Sequence, residues 1–433
     1  MENLDYARLQ MAFTLGFHII FACIGMVMPF FMVVSHKKWL NTRNPVYLQL
    51  TKSWQKGVAI FFVTGAVSGT ALSFELGMLW PEFMKHAGPI IGMPFSLEGA
   101  AFFIEAIALG FYLYGWNKIP EKFHWFTGII IGIAGVASGI LVVSANGWMN
   151  APTGFDYING EFTNIDPVQA FLNPAWFTQA LHMTLAAFVA TSFGVAGIHA
   201  FQIFKNRKVE VHKKAFKISI IFGAIAAILQ PISGDISAKD VAERQPVKLA
   251  AMEAHYETEN GAPLYIGGIV DEEKRIVTHK VEIPKALSFL AFGDFDAEVQ
   301  GLNDFPDDEL PPVAIVHYAF QIMVGIGSLL VLAAIFYFIS LKKKSWFNKK
   351  AYWLFFIFLA PLGFIAIEAG WVVTEVGRQP WIIHGIMKTK DAVTPMPGMK
   401  FSFYMYLMVY IILALTVTWL MGRQIKALNS SNE

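Results

Sequence analysis

The sequence predicts an all-α, polytopic membrane protein of about nine transmembrane helices, with its N-terminus outside, its C-terminus cytoplasmic and one long outer loop. Three observations predict it. Of 433 residues, 55% are hydrophobic and only 15% are charged, against about 25% charged in an ordinary soluble domain. Nine apolar runs reach the roughly 20 residues that cross a bilayer as a helix. The connections rich in Lys and Arg fall on one side when those runs alternate, and that side is read as cytoplasmic. A mean hydropathy of +0.49 and 39 Phe residues fit the same class.

Other classes drop out. The length alone would allow two or three soluble domains, but a chain this apolar needs lipid as its solvent. A net charge of +1 leaves no electrostatic footprint for nucleic acid. The single cysteine, Cys23, excludes a disulfide framework, an iron–sulfur cluster or a cysteine zinc site within the chain. The first ten residues lack a basic region followed by a cleavage site, so the first apolar run is expected to stay in place.

The runs are 9–35, 56–80, 93–116, 124–147, 176–204, 214–233, 312–340, 350–375 and 401–422. They divide the chain into 1–233 with six helices, an outer loop 234–311, and 312–433 with three more. The first run carries His18 and leads into a basic connection, 36–56, with His36, Lys37, Lys38, Arg43, Lys52 and Lys56. The second carries Glu75 and the pair Gly65/Gly69; the third carries Glu98 and Glu105. The fourth has Gly128/Gly132, Gly135/Gly139, Ser138 and Ser144. Small residues four apart let helices pack closely; a bare glycine face could instead seat a flat cofactor. The connection 148–175 has no Lys or Arg and faces out. The fifth run carries His182 and leads to Lys205, Arg207, Lys208, Lys213, Lys214 and Lys217. The loop 234–311 is long for a compact protein, so it reads as a folded outer element. Within it a short amphipathic helix is expected at 246–257, with Lys248, Met252 and His255 on one side. The seventh run carries Met323 and precedes Lys342, Lys343, Lys344, Lys349 and Lys350. The eighth carries Glu368, Trp371 and Glu375, followed by Arg378. The ninth closes the set.

Seven ionisable residues stand where hydrocarbon is expected: His18, Glu75, Glu98, Glu105, His182, Glu368 and Glu375. Each costs about 2.5–3.5 kcal/mol at the centre of a membrane, so each needs a reason. His18 and His182 read as core histidines held by hydrogen bonds or as metal ligands. Single histidines on separate helices suit iron in a porphyrin, which supplies four ligands itself. Met323 reads as core filler or as the second ligand of a closed His/Met heme. Glu98 and Glu105 are two turns apart on one helix face. Two ionised carboxylates there would be costly; they read as acids paired to neighbouring helices or as steps of a proton relay, which Ser138 and Ser144 would extend. Glu368 could pair with Arg378 or bind a metal. His18, His182, Met323, Glu98 and Glu368 also share one expected layer in the outer half.

With these residues in view, the chain resembles subunit I of the cytochrome bd-type quinol oxidases, over essentially its whole length. The resemblance rests on a collinear set: Arg8-Leu9-Gln10 with His18, Leu97-Glu98-Gly99 with Glu105, Ala145-Asn146-Gly147-Trp148-Met149, and Asn173-Pro174 with His182. It continues through Lys248-Leu249-Ala250-Ala251-Met252-Glu253, Phe320-Gln321-Ile322-Met323, Glu368-Ala369-Gly370-Trp371 and Gly377-Arg378-Gln379-Pro380-Trp381.

The resemblance implies a terminal oxidase of the bacterial plasma membrane. It would oxidise membrane quinol (ubiquinol or menaquinol) at the outer face and reduce dioxygen to water with cytoplasmic protons, generating a proton motive force without pumping. It implies two hemes b and a d-type heme, or a third heme b in its place. His182 and Met323 would hold a low-spin heme b. His18 and Glu368 would be axial ligands of the other two, in an order the sequence leaves open. Trp371 and Arg378 would line the cofactor sites, Glu98 and Glu105 the proton route, and Lys248 and Glu253 the quinol-oxidising loop. A homologous subunit II is implied as partner, often with a small single-helix subunit. The outer loop is short for the family, which places the chain with the short-loop branch that includes the cyanide-insensitive oxidases. Gln321 stands where other members commonly carry Arg, and is expected to alter the field at the nearby heme. The Glu98–Glu105 spacing is one residue shorter than in long-loop members.

Two other readings of the residues remain at this point. A proton-coupled secondary transporter would use membrane carboxylates too, but it predicts internal repeats, which the sequence lacks. A quinol-linked heme electron-transfer subunit would keep the hemes and not reduce oxygen.

Overall fold

The computed structural model describes residues 3–207 and 209–430; Met1, Glu2 and Lys208 of the segments read above lie outside the described residues. Among the described residues nine helical spans are long and apolar enough to cross a membrane, as the sequence predicts. The first, fourth, sixth and ninth extend beyond their apolar runs at both ends, because helices continue past the hydrocarbon into the interface; the fifth keeps the expected bounds, 176–204, and the third stops at Tyr114, short of 116. The first four spans are α1 (Asn3–Thr42), α2 (Pro45–Leu79), α3 (Pro81–Tyr114) and α4 (Glu121–Asn150). After the short α5 (Pro167–Phe171) come α6 (Trp176–Phe204) and α7 (Val209–Arg244). The short α8 (Pro246–Glu253) and α9 (Ala286–Phe292) belong to the long connection that follows. The seventh span is α10 (Val313–Lys342). The eighth is split into α11 (Lys350–Leu359) and α12 (Leu362–Val376). After the short α13 (Thr389–Ala392), α14 (Met399–Ser430) is the ninth.

Local chemistry sets the breaks. Asn44 caps α2, accepting from the Val46 amide at 2.9 Å, with Pro45 in the first turn; a proline there costs nothing, since that N–H has no helical partner. Pro81 and Pro246 lack the N–H that would carry α2 and α7 onward. Pro361 divides the eighth span in the same way.

The helices form two groups. In one, α1 packs along α2 and α4, and α3 along α4; in the other, α6 packs along α7 and α11, and α10 along α12 and α7. Contacts of α6 with α1 and α4 join the groups, and α14 lies outside against α1 and α2. Lipid offers no hydrophobic drive between helices, so close approach decides. A Cβ on Gly363 would lie 2.5 Å from the Ala190 Cα, and one on Gly197 would meet Ala360. The α4 glycines are of the packing kind: Gly128 faces Tyr112 and Val33, Gly132 faces the Phe30 ring, and Gly139 faces Met26. Gly65 on α2 is different, with open space beside it.

The bundle has two ends. At the basic end Arg43 pairs with Glu121 at 2.6 Å, and His212 bonds Asn429 at 2.9 Å. At the other, here the loop end, the Asn3 side chain donates to the Met396 carbonyl at 3.1 Å and the His384 amide to the Met149 carbonyl at 3.0 Å. α14 is thus tied at the basic end through Asn429, and the segment that leads into it is held at the loop end through Met396.

The long connection departs from expectation in two ways. The sixth span runs to Arg244, so the connection begins at Gln245 and not at 234. The helix expected at 246–257 stops at Glu253, because Ala254 turns into the left-handed region with φ of 49°. It is not amphipathic either: all of Lys248, Leu249, Met252 and Glu253 are buried. Beyond it the chain forms nested antiparallel pairs. With β1 (Asp156–Ile158) and β2 (Glu161–Thr163) forming the earlier hairpin, these are β3 (Glu259–Asn260) with β8 (Glu298–Val299), β4 (Leu264–Ile266) with β7 (Val281–Ile283), and β5 (Ile269–Asp271) with β6 (Ile276–Thr278). Side chains of α10 pin this ladder down. Gln321 donates to the Tyr265 carbonyl at 2.9 Å and accepts from the Gly267 amide at 3.3 Å, and the Tyr318 hydroxyl accepts from the Val270 amide at 3.0 Å. Gln321 therefore grips the loop backbone.

Candidate active site

His18 and His182 are held in the same manner. The His18 Nδ1 lies 2.9 Å from the Ser68 Oγ, and Ser68 gives its own proton to the Thr64 carbonyl at 2.9 Å. The His182 Nδ1 lies 3.0 Å from the Ser233 Oγ, and Ser233 gives its proton to the Gln230 carbonyl at 2.9 Å. A serine that gives its proton to the helix accepts from the ring, and in that arrangement the imidazole carries its proton at Nδ1. Each Nε2 then keeps its lone pair, the form a metal needs. Gln230 Nε2 stands 3.2 Å from the His182 Nε2 and 3.3 Å from its Nδ1.

Glycines make room beside each predicted ligand. A Cβ on Gly69 would lie 3.0 Å from the His18 Cε1, and one on Gly234 would lie 3.6 Å from the His182 Cε1. One on Gly370 would lie 3.0 Å from the Met323 Sδ, and one on Gly16 would lie 2.9 Å from the Glu368 Oε2. The last contact brings Glu368 to the turn of α1 that carries His18. Met323 on α10 stands against α12 through Gly370, while α10 also packs on α7, whose Gln230 and Ser233 hold His182.

Glu368 does not pair with Arg378. Arg378 bonds Glu375 at 2.7 Å, leaving the buried Glu368 Oε1 with no hydrogen-bond partner among the described residues. The Arg378 side chain is also buried, and its Nε and Nη1 lack partners. An unpartnered carboxylate oxygen and unpartnered guanidinium N–H groups are costly in a dry interior. They fit a metalloporphyrin, whose iron would take the first and whose carboxylates the second. Trp371 is half-buried against the core that includes Ile19, Cys23 and Ile367.

Glu98 and Glu105 keep their expected stripe on α3. Ser138 of α4 donates to the Glu98 Oε1 at 2.8 Å. Glu105 is buried beside Gly135, whose Cβ would lie 3.6 Å from Oε2. Ser144 does not extend this path; its hydroxyl donates to the Phe171 carbonyl at 2.6 Å.

Lys248 and Glu253 sit on α8 five positions apart, which on a helix of 3.6 residues per turn puts them on different faces. Lys248 donates to the Asn150 Oδ1 at 2.6 Å, and Asn150 continues to Asn146, which bonds Glu375. Burial and the neighbouring Arg378 bring the Lys248 ammonium down to about 7. Glu253 has a buried oxygen without a partner, and burial pushes its carboxyl up to about 8. A small cavity of about 40 Å³ is lined by Lys248, Glu309, Arg378 and His384 among others. Burial, with Lys248 and Arg378 nearby, holds His384 down at about 4.

Sequence reasoning missed Ser68, Gln230, Ser233, Asn146 and Asn150 as working residues. A signal existed for two of them. Ser68-Gly69 and Ser233-Gly234 are the same dipeptide, in which the serine meets the ring and the glycine lies at its edge, tightly at Gly69 and in ordinary contact at Gly234.

The chain was compared with known proteins. The family described as cytochrome bd terminal oxidase subunit I matches residues 6–429. The putative cytochrome bd menaquinol oxidase subunit I of Bacillus subtilis (strain 168) is 36% identical, over 97% of this chain and 96% of its own length. The cytochrome bd ubiquinol oxidase subunit 1 of the same organism is 30% identical, over 98% of this chain and 94% of its own. The solved structure of bd oxidase from Geobacillus thermodenitrificans superimposes with a TM-score of 0.93 at 37% identity, covering 98% of each chain. Together with the nine spans, these matches make the chain a multi-pass protein of the bacterial plasma membrane that works with heme and quinol as a quinol:oxygen oxidoreductase; it belongs to the cytochrome bd terminal oxidase subunit I family.

Proposed function

We propose that this chain oxidises a membrane quinol at the loop end and supports reduction of dioxygen to water with protons drawn from the basic end. The basic end would be cytoplasmic and the N-terminus outside, because the connections there carry the lysine and arginine excess. Hemes, two of type b with a d-type heme or a third b, would supply one-electron carriers and the iron at which oxygen is reduced. His182 and Met323 would together hold one. His18 and Glu368 would each hold one of the other two.

The observation that carries this reading is the matched pair His18–Ser68 and His182–Ser233, in which a serine of the neighbouring helix meets each imidazole at Nδ1. Arg378, Glu375 and Trp371 would line the heme sites. Lys248 would bind the quinol oxygen, and Glu253 as a carboxylate would accept a quinol proton and release it outside. Ser138, Glu98 and Glu105 would hold protons on their way from the opposite end. Charge would then separate without a pump, at about 2.3 kcal/mol per elementary charge and 100 mV. A homologous subunit II, often with a small single-helix subunit, would complete the complex.

The test is a reduced-minus-oxidised spectrum of the purified complex, with oxygen uptake driven by a quinol. Soret absorption with quinol-dependent uptake is expected. A colourless complex would remove the reading, and pigment without uptake would leave an electron-transfer subunit only.

A further inference from the structure

Glu75 has no part in the proposed reaction, yet it is fully buried in the last turns of α2. Gln10 of α1 donates to its Oε1 at 3.0 Å, while its Oε2 makes no well-aligned hydrogen bond among the described residues. Three other buried oxygens in the same group, Gln10 Oε1, Thr14 Oγ1 and the Tyr410 hydroxyl of α14, likewise make no well-aligned hydrogen bond among the described residues. Thr14 faces both the Glu75 carboxylate and Tyr410.

The four oxygens are chemically complementary to one water molecule. The carboxylate and the amide carbonyl can only accept, while the two hydroxyls can donate. A water donates twice and accepts twice, and buried waters settle where two to four such partners converge. The group also lies in line with His18. Gln10, Thr14 and His18 are each one turn apart on α1, and Glu75 is two turns from Ser68, the partner of His18, on α2. Leu79 ends α2 one turn beyond Glu75, so the loop end is close.

We propose that Gln10, Thr14, Glu75 and Tyr410 enclose an ordered water, and that Glu75 takes up a proton through it when an electron reaches the group held by His18. This rests on the reading that His18 holds a heme. The balance is simple: one electron from quinol enters the buried site, one proton from water at the loop end converts the Glu75 carboxylate to a carboxylic acid, and the local charge does not change. In a low-dielectric interior an uncompensated electron is costly, which gives the proton its reason to move. The titratable groups facing Glu75 are Tyr406 and Tyr410 of α14, with His18 farther along α1.

The experiment uses the whole purified complex with Glu75→Gln and Tyr410→Phe. Reduced-minus-oxidised infrared spectra should show a carboxyl C=O band that Glu75→Gln removes and Tyr410→Phe shifts. The midpoint potential of the heme lost in His18→Ala should depend on pH in the wild type and lose most of that dependence in Glu75→Gln. If both variants keep the band and the pH dependence, Glu75 is structural or binds a cation, and the inference is wrong. If Glu75→Gln does not assemble, an unchanged band in Tyr410→Phe overturns it equally. If His18→Ala loses no heme, the underlying reading fails instead.

Discussion

The Ser68 Oγ stands 2.9 Å from the His18 Nδ1 and 2.9 Å from the Thr64 carbonyl, so a proton given to the helix leaves it an acceptor for the ring. Ser233 stands to His182 in the same relation. Removing a partner that orients a metal-ligating histidine usually costs about 10–100-fold in metal affinity. Ser68→Ala and Ser233→Ala should therefore each lower the retention of one heme by about 10-fold, and of different hemes. Pyridine hemochrome content of the two purified variants checks this; equal heme in both and in wild type would show that the serines only pack.

Met323→Leu should keep the volume of the site and remove the sulfur. The heme shared with His182 should turn from low-spin to high-spin, visible in the reduced spectrum. An unchanged spectrum would mean that Met323 is core filler.

Glu253 can accept a proton only when ionised, and its ionised fraction grows as pH rises through about 8. Lys248 keeps its positive charge only below about 7. Quinol oxidation that needs both forms should follow a bell between those values. Glu253→Gln should remove the acid limb and Lys248→Met the alkaline limb, both with heme content intact. A profile with both limbs in either variant would clear that residue of the role.

Ser138 is the hydrogen-bond donor to the Glu98 Oε1, so Ser138→Ala should slow turnover several-fold, and Glu105→Gln should slow it more. Both should raise the solvent deuterium isotope effect while quinol KM stays put. Loss of heme would point to a folding role.

Gln321→Leu should cut both bonds that fasten the outer ladder to α10, each worth about 1 kcal/mol. Limited proteolysis between β4 and β7 should speed up by about ten-fold. No change would show that Tyr318 alone suffices.

The spans were legible because hydrocarbon imposes one strong rule, about 20 apolar residues per crossing. Their ends were not, since helices such as α7 continue into the interface, where polar residues like Asp235 and Asp240 are no obstacle. His18, His182 and Glu368 stood out by their cost in oil. Their partners did not, because a serine bonded to its own helix looks ordinary in sequence, and only its neighbouring glycine hints at more. Arg378 illustrates the same limit: both Glu368 and Glu375 were near enough in sequence, and helix direction decided for Glu375. Gln321 shows it again, since the loop it grips folds back from more than fifty residues away.

The packing of α14 against α1 and α2 has a consequence for biosynthesis. This helix leaves the ribosome after every other described span, yet it supplies Tyr410 to the enclosure around Glu75, whose other walls come from the first two spans. Translation must therefore reach α14 before the earliest helices are sealed. A transcript cut short before codon 399 would release a protein with an open carboxylate facing lipid, and membrane proteases would have a ready mark of an unfinished product.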